Sequence, residues 1–397
     1  MKACLFLLCA MFASAAEPAR PYYAVSPGAL AQAKAALRSG DAETTAALAK
    51  LVADADKALQ LAPPSVVEKQ KVPPSGDKHD YMSMAPYFWP DPAKPNGLPY
   101  VRRDGKVNPE AHAPENNDTL RIRALGGAVE TLALAYHFTG KPAYAAQAAR
   151  LLRTWCLDPA TRMTPRFAYA QAVLGVNDGR GTGILEARSL VEALDAAGLL
   201  AGSPAWTAAD QQALDQWSAQ FLDWLLTSKP GREEFAAKNN HGSWFDVQTA
   251  KLALIVGRRE LAQGILRGVP ARRIDVQVEP TGRQPLELAR TATFTYSCFN
   301  VEALAQLAVL GEHADVDLWR YHSADGRSLR AALDYLLPYV GKGAPPWPFE
   351  QIRAAKPAEL APVLRRAAQV YAEPKYGQPL TDLADGAKRL PLLQPVR

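Results

Sequence analysis

The stretch DTLRIRALGGAVETLALAYHFTGKPAYAAQAARLLRTWCL, residues 118–157, decides the fold. Asp118 stands where a helix cap would sit, and Leu120, Leu125, Val129, Leu132 and Ala135 follow at helical spacing as far as Gly140. Pro142 then opens a second helix, Ala145 to Leu157, that places Ala149, Leu152 and Trp155 on one face. Two helices joined by so short a turn form an αα-hairpin. The same pattern spreads outward through Glu186–Leu200 and Thr207–Leu226. In the latter, Thr207 and Asp210 have the spacing of a capping box, and Leu214, Trp217, Phe221 and Trp224 make an apolar stripe. Trp244–Val256, Glu260–Leu266, Phe299–Leu310, Leu329–Tyr339 and Leu360–Tyr371 continue the series. Ile274–Val278 is the one segment whose alternation reads as a strand. Because no fixed period repeats, a regular solenoid fits poorly. Hairpins of varied length closing into an α/α toroid, an incomplete barrel, fit better, so the predicted class is all-α.

The chain of 397 residues is 48% hydrophobic and 21% charged, enough apolar surface to bury a large core. Forty-five Lys and Arg against 40 Asp and Glu, with no dense basic run, argue against nucleic-acid binding. They leave room for a local basic cleft suited to an acidic ligand. Residues 1–16 read as a signal peptide, with Lys2 before the apolar run Ala3–Phe12 and the small residues Ala13-Ser14-Ala15 after it. Export to a periplasm or beyond is therefore expected, with no membrane attachment after cleavage. Beyond that leader only Cys156 and Cys298 remain. They could pair in an oxidising compartment, although the apolar helical setting of each also suits a buried thiol.

Residues 17–117 form an N-terminal helix and a lid or loop segment, continuous with a toroid over 118–397. Between Pro63 and Pro114 the chain is rich in proline and aromatic residues and carries no helical period. A segment of that length usually serves as a lid or binding loop.

Three clusters could carry chemistry. Lys238-Asn239-Asn240-His241-Gly242-Ser243-Trp244 precedes a helix, so its polar heads face an anion at a helix entrance or simply make a turn capped by Ser243. Arg283–Asn300 places Arg290 and Tyr296 within two helical turns, either along one wall or with Arg290 paired to Glu287 and Tyr296 in the core. His79–Pro92 holds Tyr81, Tyr87, Phe88 and Trp89, rings that either stack on sugars or anchor the loop. Arg180, on the Gly179–Gly183 turn, is a weaker candidate for a cleft wall. No His-Glu-x-x-His or Gly-x-Ser-x-Gly motif is present, and the histidines are too scattered for a metal cage. Glu186, Asp246, Glu287 and Glu302 are available for carboxylate-pair hydrolysis, but sequence does not pair them.

The run Asn239-Asn240-His241-Gly-Ser-Trp-Phe-Asp-Val-Gln, the Arg290/Tyr296 segment and the Tyr-Phe-Trp-Pro-Asp-Pro loop together resemble the alginate lyase domain family over roughly Pro63 to Leu337. The resemblance implies an α/α toroid that cleaves an acidic polysaccharide by β-elimination, with no cofactor or metal, and it is expected to act as a monomer. It implies that Asn240, His241 and Arg290, or Arg283 in its place, neutralise the uronate carboxylate. Tyr296 would protonate the leaving O4, and Tyr296 or His241 would take H5. Tyr81, Tyr87, Trp89, Arg180 and Trp244 are the expected substrate contacts. A glycoside hydrolase on the same toroid and a non-catalytic glycan-binding protein are the rival readings.

Overall fold

Glycine and proline punctuate the helices at the expected places. The structure is a computed structural model that describes residues 20–383 and 389–395; the expected leader, residues 1–16, lies outside the described residues. Helices α1 (Ala29–Arg38) and α2 (Ala42–Ala58) lead in, where the sequence suggested one. Helix α3 (Thr119–Thr139) stops at Gly140, whose φ of 68° lies in the left-handed region that a Cβ disfavours. Helix α4 (Pro142–Leu152) starts on its proline and widens into a π-turn over Arg153–Leu157. There follow α5 (Arg188–Ala196), α6 (Ala208–Thr227), α7 (Lys229–Phe235), α8 (Asn240–Ile255) and α9 (Arg259–Arg267). Two short turns, α10 (Asp275–Gln277) and α11 (Pro285–Leu288), precede α12 (Thr293–Ala314), α13 (Leu329–Leu336) and α14 (Ala361–Tyr371).

The architecture is all-α, an α/α toroid. Its inner row runs α3 on α5, α5 on α8 and α8 on α12. The outer layer sets α2 and α4 against α3, α6 and α9 against α8, and α13 against α12. Covered on both sides, α3, α8 and α12 carry no single apolar stripe, whereas α5 turns Arg188, Ser189 and Glu192 toward a cavity. In α8 every residue is buried except His241. One hydrophobic cluster joins the layers, from Tyr22 near the start to Leu392 near the end. The Thr207/Asp210 capping box opens α6 as expected.

Several expectations are corrected. Asp118 flanks α3 without capping it; its carboxylate accepts the Met82 N–H at 3.1 Å and pairs with the buried Lys69 ammonium at 3.0 Å. Asn239, not Ser243, caps α8, so the helix begins four residues earlier than Trp244. Likewise α12 begins at Thr293 rather than Phe299, which draws Tyr296 into its first turn. Ile274–Val278 is no strand: it passes from a π-turn into α10. Short strands lie instead in the segment before α3, with one more after α4. There β1 (Met82–Met84) pairs parallel with β4 (Tyr169–Ala172), and β2 (Phe88–Trp89) pairs antiparallel with β3 (Val101–Arg102). Cys156 and Cys298 are buried free thiols.

Candidate active site

A cavity of ≈ 940 Å³ opens between the β2–β3 hairpin and the N-terminal ends of α8 and α12. Its position follows from the helix starts. The first turn of a helix has backbone N–H groups without intrahelical partners, and here both turns are spent on polar contacts that fix the side chains around the cavity.

At α8, the Asn239 side chain accepts the His241 N–H at 3.3 Å. The Asn240 backbone N–H and its side-chain Nδ2 each donate to one oxygen of Glu287, both at 2.7 Å. Glu287 is buried, and burial pushes its carboxyl above the usual range against the lowering effect of these two hydrogen bonds. The clamp fixes the Asn240 carboxamide, whose second N–H hydrogen remains for the cavity. His241 Nδ1 lies 2.6 Å from Oε1 of the buried Glu234, which comes from α7. A carboxylate there accepts the Nδ1 hydrogen, so the neutral ring carries its lone pair on Nε2.

At α12, the Tyr296 hydroxyl donates to the Tyr87 hydroxyl at 2.8 Å, and the Arg290 guanidinium lies 3.7 Å from the centre of the Tyr296 ring. Burial, reinforced by Tyr87, pushes the Tyr296 phenol well above its usual value although Arg290 opposes the shift. Tyr296 therefore keeps its proton at neutral pH. Arg290 also grips Asp104 through Nε at 3.1 Å and Nη2 at 2.8 Å. Arg290 and Arg102 hold the Asp104 carboxyl well below the usual carboxylate range despite its partial burial. Asp104 and Gly105 form the turn that follows β3. A Cβ on Gly105 would lie 2.5 Å from Thr291 Oγ1 and 2.6 Å from Ile352 Cδ1, so this turn is wedged against the wall that carries Arg290. Gly105 also has a φ of 71°.

Of the expected contacts, Tyr87 and Arg180 line the cavity together with Asn240, His241, Arg290 and Tyr296. Gln171, held at φ 51°, accepts Arg180 through its backbone oxygen at 3.2 Å and its side-chain oxygen at 2.9 Å. This aims the guanidinium over the Phe88 ring at 5.0 Å. Tyr81, Trp89 and Trp244 are placed elsewhere. Tyr81 is fully buried, stacked on Phe167 and donating to Glu186 at 2.7 Å. Trp244 is buried in α8 with its ring 4.3 Å from the Arg188 guanidinium. Trp89 donates to the Lys106 carbonyl at 2.9 Å and is not among the lining residues. Arg283 pairs loosely with Glu279 at 3.9 Å and does not line the cavity, and Glu287 holds Asn240 instead of ion-pairing with Arg290.

Sequence reasoning missed Glu234, Asp104, Phe88 and Arg188 as lining or supporting residues. Glu234 sits one helix before His241 and Asp104 lies 186 residues before Arg290, so no spacing rule joins either pair. Phe88 stands between Tyr87 and Trp89, and no periodicity sorts the three, since adjacent Tyr87 and Phe88 both line the cavity and Trp89 does not. Among the described residues no group of His, Cys, Asp and Glu is arranged to hold a metal ion, and no helix is long and apolar enough to cross a membrane.

A family model described as alginate lyase matches residues 65–347. Among solved structures, an alginate lyase from Bacteroides ovatus is 37% identical, with a TM-score of 0.88 over 96% of this chain and 100% of that one. Alginate lyase A1-III from Sphingomonas species A1 is 17% identical, with a TM-score of 0.59 over 96% of this chain and 97% of that one. A variant of alginate lyase A1-III complexed with a tetrasaccharide is 18% identical, with a TM-score of 0.61 over 95% and 96%. The last two likenesses speak for the fold alone. No curated protein matches the chain.

Proposed function

The chain belongs to the alginate lyase family and is a polysaccharide lyase; from that premise we propose that it cleaves a polyuronate such as alginate by β-elimination, with Asn240, His241, Arg290 and Tyr296 as its reacting set. The observation that carries this reading is the convergence on one cavity of an imidazole oriented by Glu234 and a phenol that stays protonated.

Elimination removes H5, α to a carboxylate, and breaks the C4–O4 bond, leaving a C4=C5 double bond. The proton is weakly acidic because its loss would put a second negative charge beside the first, so hydrogen-bond donors must meet the carboxylate as that charge develops. The clamped Asn240 amide is one such donor. Arg290 supplies positive charge from behind the Tyr296 ring, its Asp104 partner holding the guanidinium in place. His241 takes H5 on Nε2, and Glu234 steadies the imidazolium that forms. Tyr296 gives its proton to the departing O4. Tyr87, hydrogen-bonded to Tyr296, stabilises the phenolate until a proton returns. Arg180, Phe88 and Tyr87 contact the sugar chain, and the hairpin, held by the wedged turn after β3, acts as a lid over it. The acidic polymer is met outside the cytoplasm by a secreted monomer, in keeping with the signal-like residues 1–16.

The test is a panel of alginate, polymannuronate, polyglucuronate and pectate followed by the ultraviolet absorbance of the unsaturated product, with His241→Ala and Tyr296→Phe alongside. Product from at least one polymer, lost in both variants, is expected. Reducing ends that form without that absorbance would favour hydrolysis and sink the reading.

A further inference from the structure

The deeper half of the cavity is built differently from its mouth. Helix α12 presents Tyr296, Phe299 and Glu302 at three-residue intervals, each about 4.5 Å further along the axis. Beside Phe299 stands Arg188, the first residue of α5, with its guanidinium carbon 4.6 Å from the Phe299 ring centre and 4.3 Å from that of Trp244. Among the described residues the Arg188 side chain makes no hydrogen bond or ion pair, and its Nε is buried without a partner. Two aromatic faces thus hold a desolvated cation in one orientation, an arrangement that costs free energy unless something answers the charge. Arg123 of α3 lines the same part of the cavity, close enough that its like charge bears on Arg188. The carboxyl groups of Glu192 and Glu302 also bear on Arg188, but neither hydrogen-bonds or ion-pairs with its guanidinium, so the two cations on this wall leave a place for an external carboxylate.

Beyond Arg188 the cations stop. Glu192, one turn along α5, and Glu302 line both this cavity and a smaller one of ≈ 180 Å³ on its far side, so they form the partition between the two. Past the partition Lys251 already faces Asp195 at 3.9 Å and Arg366 already pairs with Glu312 at 2.6 Å. A uronate pushed that far would meet carboxyl groups in a narrower space with no unpaired cation to receive it.

We propose that Arg123 and Arg188 form a terminal carboxylate-binding subsite and that Glu192 and Glu302 close the cleft behind it, so that the enzyme works from the end of a polyuronate chain. This inference rests on the polyuronate lyase reading. It assigns Arg188 a specificity role: it binds the last sugar of the chain while the bond at Tyr296 is broken, one helical turn away.

The experiment follows product size and solution viscosity during the first turnovers on the best polymer of the panel. A single short class of unsaturated oligomer, with viscosity falling slowly for the bonds cut, is expected; an early ladder of many lengths with rapid loss of viscosity would overturn the proposal. Arg188→Gln should raise KM about tenfold or more with a smaller effect on kcat, and Arg188→Lys should recover part of the loss. Arg123→Gln, at an exposed side chain, reports on the same subsite should Arg188→Gln fail to fold. The double variant Glu192→Gln/Glu302→Gln should release longer products. KM unchanged in both the Arg188 and Arg123 variants, or product length unchanged in the double variant, also counts against the subsite. Absence of any unsaturated product from the unmodified enzyme would strike the lyase reading itself, a separate failure.

Discussion

The first turn of α8 and the loop from His79 to Pro92 both reach the cavity, but they present side chains by different means. In α8 the helix start fixes the geometry: Asn239 caps, Asn240 is clamped and His241 is the one residue of the helix left unburied. Three adjacent residues have three distinct roles because each successive position turns about 100° around the axis. The loop has no such internal rule. Two of its aromatic residues, Tyr87 and Phe88, line the cavity, Tyr81 lies in the core, and Trp89 is tied to the hairpin's own backbone. Their assignment depends on the pairing of β1 with β4 and of β2 with β3, partners that lie far along the chain or across a turn. A helix terminus therefore carries its function locally, whereas the loop borrows its function from the walls it is pinned to.

The strongest way to break this contrast is to remove its α8 side. His241→Ala should lower kcat about 10²–10⁴-fold, the usual range for loss of a general base, measured as the initial rate of unsaturated product formation. A rate within threefold of the parent would show that the helix start is not where the proton is taken. Glu234→Gln should cost about tenfold or more in kcat with KM little altered, because a neutral carboxamide no longer balances the charge of the imidazolium that forms. An equal fall in activity accompanied by a large rise in KM would mark Glu234 as a substrate contact instead.

On the loop side the effects should be smaller and act through position. Asp104→Ala removes a two-point ion pair that is largely shielded from water, and should cost about 1–3 kcal/mol in stability by denaturant unfolding while freeing the turn after β3. Phe88→Ala should raise KM several-fold, in line with roughly 0.5–1.5 kcal/mol for a lost aromatic contact, whereas Trp89→Ala should leave KM within about twofold. If the two rings prove interchangeable, the strand pairing is not what sorts them.

The smallest expected effect is electrostatic and concerns Glu302. Burial, aided by Glu192 and Glu359 and opposed by Arg188, pushes its carboxyl up to about 7. The folded chain thus keeps a proton that the unfolded chain gives up near the ordinary value of 4.5, so this group's contribution to stability falls as pH rises through that window and levels off above about 7. Glu302→Gln should therefore melt closer to the parent at pH about 5 and above it at pH about 8. A gap that is independent of pH would mean that the partition carries no titrating carboxyl.

Much of the fold was legible because helix signals are short-ranged. Gly140, Pro142 and the Thr207/Asp210 box act within a few residues, and each bounds a helix as its chemistry requires. The starts of α8 and α12 were less legible, since polar residues such as Asn240 and Thr293 are weak helix signals whose enrolment depends on partners elsewhere: Glu287 for the one, the Glu350 carbonyl for the other. Ile274–Val278 misled for a related reason. Five residues are too few for periodicity to separate a strand from a helical turn, and the packing of the chain around Arg273 and Asp246 decided it.

By itself the sequence determined the helical hairpins, because each rests on residues within a turn or two of one another; the grouping of Asn240 and His241 with Arg290 and Tyr296 it offered only through a family resemblance. Only the tertiary structure decided that Glu234 faces His241, that Asp104 holds Arg290, and that Trp244 and Tyr81 belong to the core rather than the cleft. The reason is physical. Burial and ion pairing are properties of surfaces brought together by closure of the toroid, and nothing in the local chain records which surface a side chain will meet.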